Sequence, residues 1–190
     1  MLTITLRQIL DAGPCYDPRD RGLLNKYHSV DAPISLMDIY HVCGYSDTIW
    51  CFAAVANESL RFKFMSVYMP RLIYLLPERI KAPCESIIMT MSDYAKYLIW
   101  RDDAFLRFAE YKNLVESIEG AEFGSYRSLQ AAHATIEITN LPGSSFRAAD
   151  AIASDYVEHV VSEGGGRDGV YSIALKKELD WQIEELFKLC

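Results

Sequence analysis

The chain has 190 residues, 51% of them hydrophobic and 12% aromatic, enough to bury roughly 70% of its unfolded surface without help from disulfides or a metal. Its formal charge of −7 and isoelectric point near 5.1 argue against direct nucleic-acid binding, because phosphate contacts need a basic footprint. The longest uncharged apolar run, Ile49–Ala56, is far short of the ~20 residues that cross a bilayer, and the opening MLTITLRQIL lacks the regions of a signal peptide. A cytosolic protein is expected.

Thr5-Leu-Arg-Gln8 has the form of a capping box, opening a short helix that Gly13 and Pro14 stop. Cys15 to Gly22 is rich in turn residues, and Leu23–Tyr27 is expected to add one helical turn. Ser35 then caps a second helix, with Asp38 three residues on and Ile34 and Ile39 as a hydrophobic staple; Gly44 ends it. Ser46 is expected to cap a third helix, with Asp47 suited to its first turn. Ile49, Trp50, Phe52 and Ala53 leave that helix little polar surface, so it should be central, with Trp50 and Trp181 as packing anchors.

From Asn57 to Glu78 the apolar residues keep helical spacing, and Pro70 predicts a kink or restart. Pro77 is expected to close that segment. Pro83 is expected as the first residue of the next helix, Cys84–Trp100, with Ile87, Ile88, Met91, Tyr94, Ala95 and Leu98 inward. Asp102 and Asp103 open a helix over Ala104–Ile118, ended by Gly120. Ser125–Asn140 reads as helix despite its β-branched residues, and a Ser145-capped helix is expected over Phe146–Glu163. Gly164–Gly166 is the one credible linker, dividing a helical domain over 1–163 from a final helix over 164–190 that should pack on the same domain. The fold class expected is all-α: eight or nine helices stacked as antiparallel hairpins, with no convincing strand pair.

The charge is unevenly placed. Residues 1–100 balance ten basic against ten acidic side chains, whereas residues 101–190 carry nine against sixteen. A basic segment (Arg61, Lys63, Arg71, Arg79, Lys81) lies in the neutral half. An acidic half suits either simple solvation or a partner with a basic surface. Candidate contacts are Asp102, Asp103, Glu110, Glu116, Glu119 and Glu122.

Chemistry is sparsely signalled. His133 and Glu137 stand four apart on a predicted helix, and with His159 they could supply a metal site; a surface pair and an unrelated histidine is the simpler reading. Cys15 has nearby arginines but no positioned base, and Gly164-Gly-Gly-Arg167 lacks the strand and the Lys-Ser/Thr ending of a phosphate loop. The five cysteines form no C-x-x-C pair. No cofactor is expected and the chain does not read as an enzyme, a small metal-dependent one using His133, Glu137 and His159 being the least favoured alternative.

The opening TLRQIL, the short helix before Asp47-Thr-Ile-Trp50, and the helix Arg61-Phe-Lys-Phe64 running into Leu75-Leu-Pro77 resemble a family of small helical phage and prophage proteins of immunity type. Arg147–Ala153 and Leu179–Leu189 match that family's alanine-rich and leucine-rich ending in outline, while Ala121–Ser145 has no counterpart there. The resemblance implies a phage-encoded accessory protein that works by binding, in the cytoplasm of an infected or lysogenic bacterium. Its expected target is a host or phage protein with a basic surface, such as a CRISPR-type defence component that it would inhibit. It carries over no catalytic residues. A homodimeric scaffold, self-associating through exposed parts of the Tyr/Phe-rich helices, is the alternative binding reading.

Overall fold

The computed structural model describes residues 2–14, 22, 29–118, 120–124, 126–140 and 168–189. The Leu23–Tyr27 turn, the Phe146–Glu163 helix, the glycine linker and Cys15 lie outside them. The all-α fold expected from the sequence is the fold found.

The chain begins with a feature the helical periodicity hides. Strand β1 (Thr3–Thr5) pairs antiparallel with β2 (Pro33–Ser35), Ile4 opposite Ile34. Each strand runs directly into a capped helix, α1 (Leu6–Asp11) and α2 (Leu36–Cys43). The two units share one pattern: Ile4-Thr-Leu-Arg-Gln-Ile9 and Ile34-Ser-Leu-Met-Asp-Ile39. In each, both isoleucines and the leucine are buried, and the hydroxyl accepts from the amide three residues on, at 3.2 Å for Thr5 and 3.1 Å for Ser35. Gln8 Oε1 accepts from the Thr5 amide at 2.9 Å, completing the capping box. The expectation of no strand pair is thus corrected: three-residue strands are too short to show alternation, and their burial rests on the helices they feed.

Helix α3 (Tyr45–Val55) starts at Gly44, whose φ of 86° is left-handed, rather than at Ser46. Thr48 and Ile49, Cys51 to Ala53, are buried; Trp50 is half-buried against the core. Asn57 caps α4 (Glu58–Tyr68) by accepting from the Leu60 amide at 2.8 Å. The chain then tightens into a seven-residue 3-10 segment, Met69–Leu75. Pro70 explains it, because it cannot donate and its ring displaces the carbonyl one turn back.

Pro77 closes the preceding segment as expected, with Leu76 before it extended at ψ of 147°, and it also stands at the N-cap position of α5 (Glu78–Ala95). The Pro83 expectation is corrected: it sits inside that helix rather than starting one. Losing one bond near a helix start is a small penalty beside the burial of Ile80, Cys84, Ile87 and Met91. Helix α6 (Arg101–Glu116) packs on α5, α7 (Tyr126–Asn140) on α6, and a 3-10 turn (Gly120–Phe123) joins them.

The last helix, α8 (Asp168–Leu189), packs on α4. Its inward stripe contains two polar side chains that the sequence does not flag, Glu178 and Gln182. Tyr68 donates to the Gln182 carbonyl and Tyr45 to its Oε1, while Gln182 Nε2 donates to Glu178 at 3.3 Å. Arg71, presented by the 3-10 segment, stands 3.7 Å from Glu178 with its guanidinium 4.0 Å above the Trp181 ring. Burial raises the Glu178 pKa against the opposing pull of Gln182 and Arg71.

Candidate interaction site at the corner between α5 and α6

The sequence predicts one helix from Cys84 through Trp100 with Leu98 facing inward. The structure ends α5 five residues earlier, at Ala95, and turns Leu98 out to solvent. The termination is a left-handed cap. The Leu98 amide donates to the Asp93 carbonyl and the Tyr97 amide to the Tyr94 carbonyl, both at 2.9 Å, and Tyr97 takes φ of 59°. Glycine is the residue that fits this position without steric cost; here it is tyrosine.

The segment beyond the cap is exposed. Tyr97 is 80%, Leu98 68% and Trp100 82% accessible, and only Ile99 turns back against the core. Trp100 is the N-cap of α6 and supplies no side-chain cap bond. The first-turn acids Asp102 and Asp103 favour the positive end of that helix, which gives them a structural use besides any binding role.

The corner is braced from beneath. Glu58 at the start of α4 accepts from Tyr94 at 2.7 Å and from Arg101 at 3.2 and 3.3 Å. Ser59 donates to the otherwise orphaned Ala95 carbonyl at 2.9 Å. Burial works to raise the Glu58 pKa, but the hydrogen bonds from Arg101 and Tyr94 prevail and hold it low. The Arg101 guanidinium lies 4.3 Å above Phe105, which joins Phe62, Tyr94 and Phe108 in a cluster of edge-on and tilted rings. Tyr97, Leu98 and Trp100 therefore project from a hydrogen-bonded base.

The predicted acidic contacts divide. Asp102, Asp103 and Glu110 are exposed and, among the described residues, make no ion pair. Glu116 pairs with Lys112 at 3.7 Å, and Glu122 reaches Arg79 at 3.5 Å. Glu119 lies outside the described residues. Part of the acidic half is thus answered by the basic segment of the first half, through Arg79–Glu122 and Arg71–Glu178.

His133 is exposed on α7; the Glu137 side chain and His159 lie outside the described residues, so the trio is not observed as a set. Among the described residues no group of three His, Cys, Asp or Glu side chains is placed to hold a metal. The described Cys51 and Cys84 thiols are buried, and burial pushes each up to about 12, far from a reactive thiolate.

Among the described residues, two grooves lie on the surface. One of ≈ 440 Å³ runs between α8 and Tyr40 and Tyr45. Three of its lining side chains are engaged, Tyr40 with Asp180 at 3.0 Å and Tyr45 with Gln182. The other, ≈ 330 Å³, separates α5 from α6 beside Arg107 and Glu110. No described helix is long and apolar enough to cross a membrane. Comparison with protein-family models, curated proteins and solved structures finds no match to this chain. The phage-family resemblance accordingly rests on its short sequence motifs alone.

Proposed function

We propose that this protein acts without catalysis, by binding another protein through the corner between α5 and α6. The observation that carries the reading is the pairing of exposed side chains with a hydrogen-bonded support beneath them. Three large side chains stand mostly in solvent on a hydrogen-bonded base, and the fold gains little burial from them. Tryptophan and tyrosine are the residues that most often anchor interfaces, and they work best when held in place before the partner arrives. Asp102, Asp103 and Glu110 beside them, which make no ion pair among the described residues, favour a partner with a basic surface.

Following the motif resemblance, we take the protein to be a phage-encoded accessory protein and its target a bacterial defence component of CRISPR type, blocked by occupation of a basic surface. The test is capture from a bacterial host lysate on immobilised protein at low and moderate salt. A defined partner retained at low salt and more weakly at moderate salt is the expected result; no partner at either salt rejects the reading. A homodimer is the less favoured outcome, because a two-fold contact at this corner would set Asp102 and Asp103 of the two copies against each other. Light scattering over a concentration series distinguishes it.

A further inference from the structure

The molecule twice holds an arginine in the same way. Arg71 lies 4.0 Å above the Trp181 ring and 3.7 Å from the Glu178 carboxylate, three residues earlier on one helix. Arg101 lies 4.3 Å above Phe105 and 3.2 Å from Glu58. In both cases the guanidinium lies over an aromatic ring with a carboxylate beside it, hydrogen-bonded at Arg101 and at ion-pair distance at Arg71. That combination suits arginine better than lysine, whose ammonium is compact and strongly hydrated.

The corner between α5 and α6 repeats the two receiving parts without the guest. Trp100 is the N-cap residue of α6 and Asp103 its third helical residue, the two positions whose side chains meet at the starts of α1 and α2, Thr5 with Gln8 at 3.3 Å and Ser35 with Asp38 at 2.7 Å. Trp100 and Asp103 thus have the three-residue spacing of Glu178 and Trp181, in reverse order. Both are exposed, Asp102 adds a second carboxylate, and Tyr97 a second aromatic face. Arg101 between them is turned away to Glu58, so it does not occupy the site. The cations nearest in sequence, Lys96 and Arg107, are exposed and among the described residues make no ion pair.

We infer that Trp100, Asp103, Asp102 and Tyr97 form a receptor for an arginine side chain on a basic segment of a partner protein. This rests on the binding role proposed above and names what the corner recognises. The size fits an anchor rather than a whole interface: the two aromatics offer on the order of 300 Å², against ~800 Å² per partner in a standard complex. The carboxylates make an anionic membrane surface an unfavourable occupant, and a second copy would bring the same negative rim.

The test uses two defined probes, nona-arginine and nona-lysine, titrated calorimetrically into the full-length protein and two variants. For the wild type, the expected result is binding of the arginine peptide about threefold or more tighter than the lysine peptide. Trp100→Ala should bring the ratio close to one while leaving lysine binding little changed. Asp102→Asn/Asp103→Asn should weaken both peptides and flatten the salt dependence. Trp100 is 82% exposed, so its removal leaves the fold intact, which a thermal melt verifies. Equal binding of the two peptides by the wild type, or an arginine preference that survives Trp100→Ala, overturns the receptor. Either failure leaves the capture experiment free to succeed through another surface, so the two ideas fail separately.

Discussion

Tyr97→Gly should make the protein more stable. Tyr97 is in the left-handed region at φ of 59° and its side chain is 80% exposed, so the ring returns little burial for its backbone strain. An L-residue in that region costs roughly 1–2 kcal/mol. Glycine removes the cost but loses more freedom on folding, which takes back about 0.5–1 kcal/mol. The net is a gain of ~0.5–1 kcal/mol, or a rise in Tm of about 1–4 °C for a domain of this size. Denaturant and thermal unfolding of wild type, Tyr97→Gly and Tyr97→Ala measure it. Alanine keeps the Cβ and the strain, so it should gain far less than glycine. A loss of ~1 kcal/mol or more on Tyr97→Gly would show that the ring packs against something and would refute the reasoning. If stability rises while partner capture falls, a destabilising residue is being kept for binding.

Glu178 gives a prediction with a pH signature. Burial raises its folded-state pKa above the unfolded value, so the folded protein holds that proton where the unfolded chain has released it. The contribution to stability is full below the unfolded value and is lost as pH rises through the folded one. Glu178→Gln, neutral at every pH and still able to accept from Gln182, should gain on wild type by ~1 kcal/mol at neutral pH and show no gain in acid; a loss of ~3 kcal/mol at neutral pH would show that the Arg71 pair outweighs burial. Phe62→Ala, removing a fully buried ring at the junction of α4, α5 and α6, should cost about 3–5 kcal/mol in chemical denaturation, and half-buried Trp50→Ala roughly half as much. Thr5→Ala should cost ~1 kcal/mol through loss of the capping box, and an unchanged melting curve would mean α1 is held by Leu6 and Ile9 alone.

How much the sequence discloses depends on how local each device is. Thr5, Ser35 and Asn57 act within three residues of themselves, and the Thr5 and Ser35 caps are readable in full. Pro70 disturbs the chain where its geometry dictates. Pro83 does not, because the burial of its neighbours outweighs one missing bond, and burial depends on helices elsewhere in the chain. The end of α5 is unreadable for a related reason. The apolar spacing runs on to Leu98, no glycine marks the cap, and a left-handed tyrosine has no sequence signature. The strands have a signal that periodicity misses, the repeat of Ile-Thr-Leu-x-Gln-Ile as Ile-Ser-Leu-x-Asp-Ile. At the candidate site, Asp102, Asp103 and Glu110 can be named from charge, but Trp100 and Tyr97 cannot, because an exposed and a buried aromatic look alike until the fold is known. Glu116 and Glu122 stand among the same candidates, and only the structure shows them paired with Lys112 and Arg79.

The central claim is that a partner seats on the corner between α5 and α6. Amide hydrogen exchange of the captured complex against the free protein tests it most directly. Slowed exchange concentrated over residues 96–110, with α8 and its neighbouring groove unchanged, is the result predicted. Protection over residues 171–180 and around Tyr40 and Tyr45, with none at Tyr97–Asp103, would contradict it and move the function to the groove beside α8.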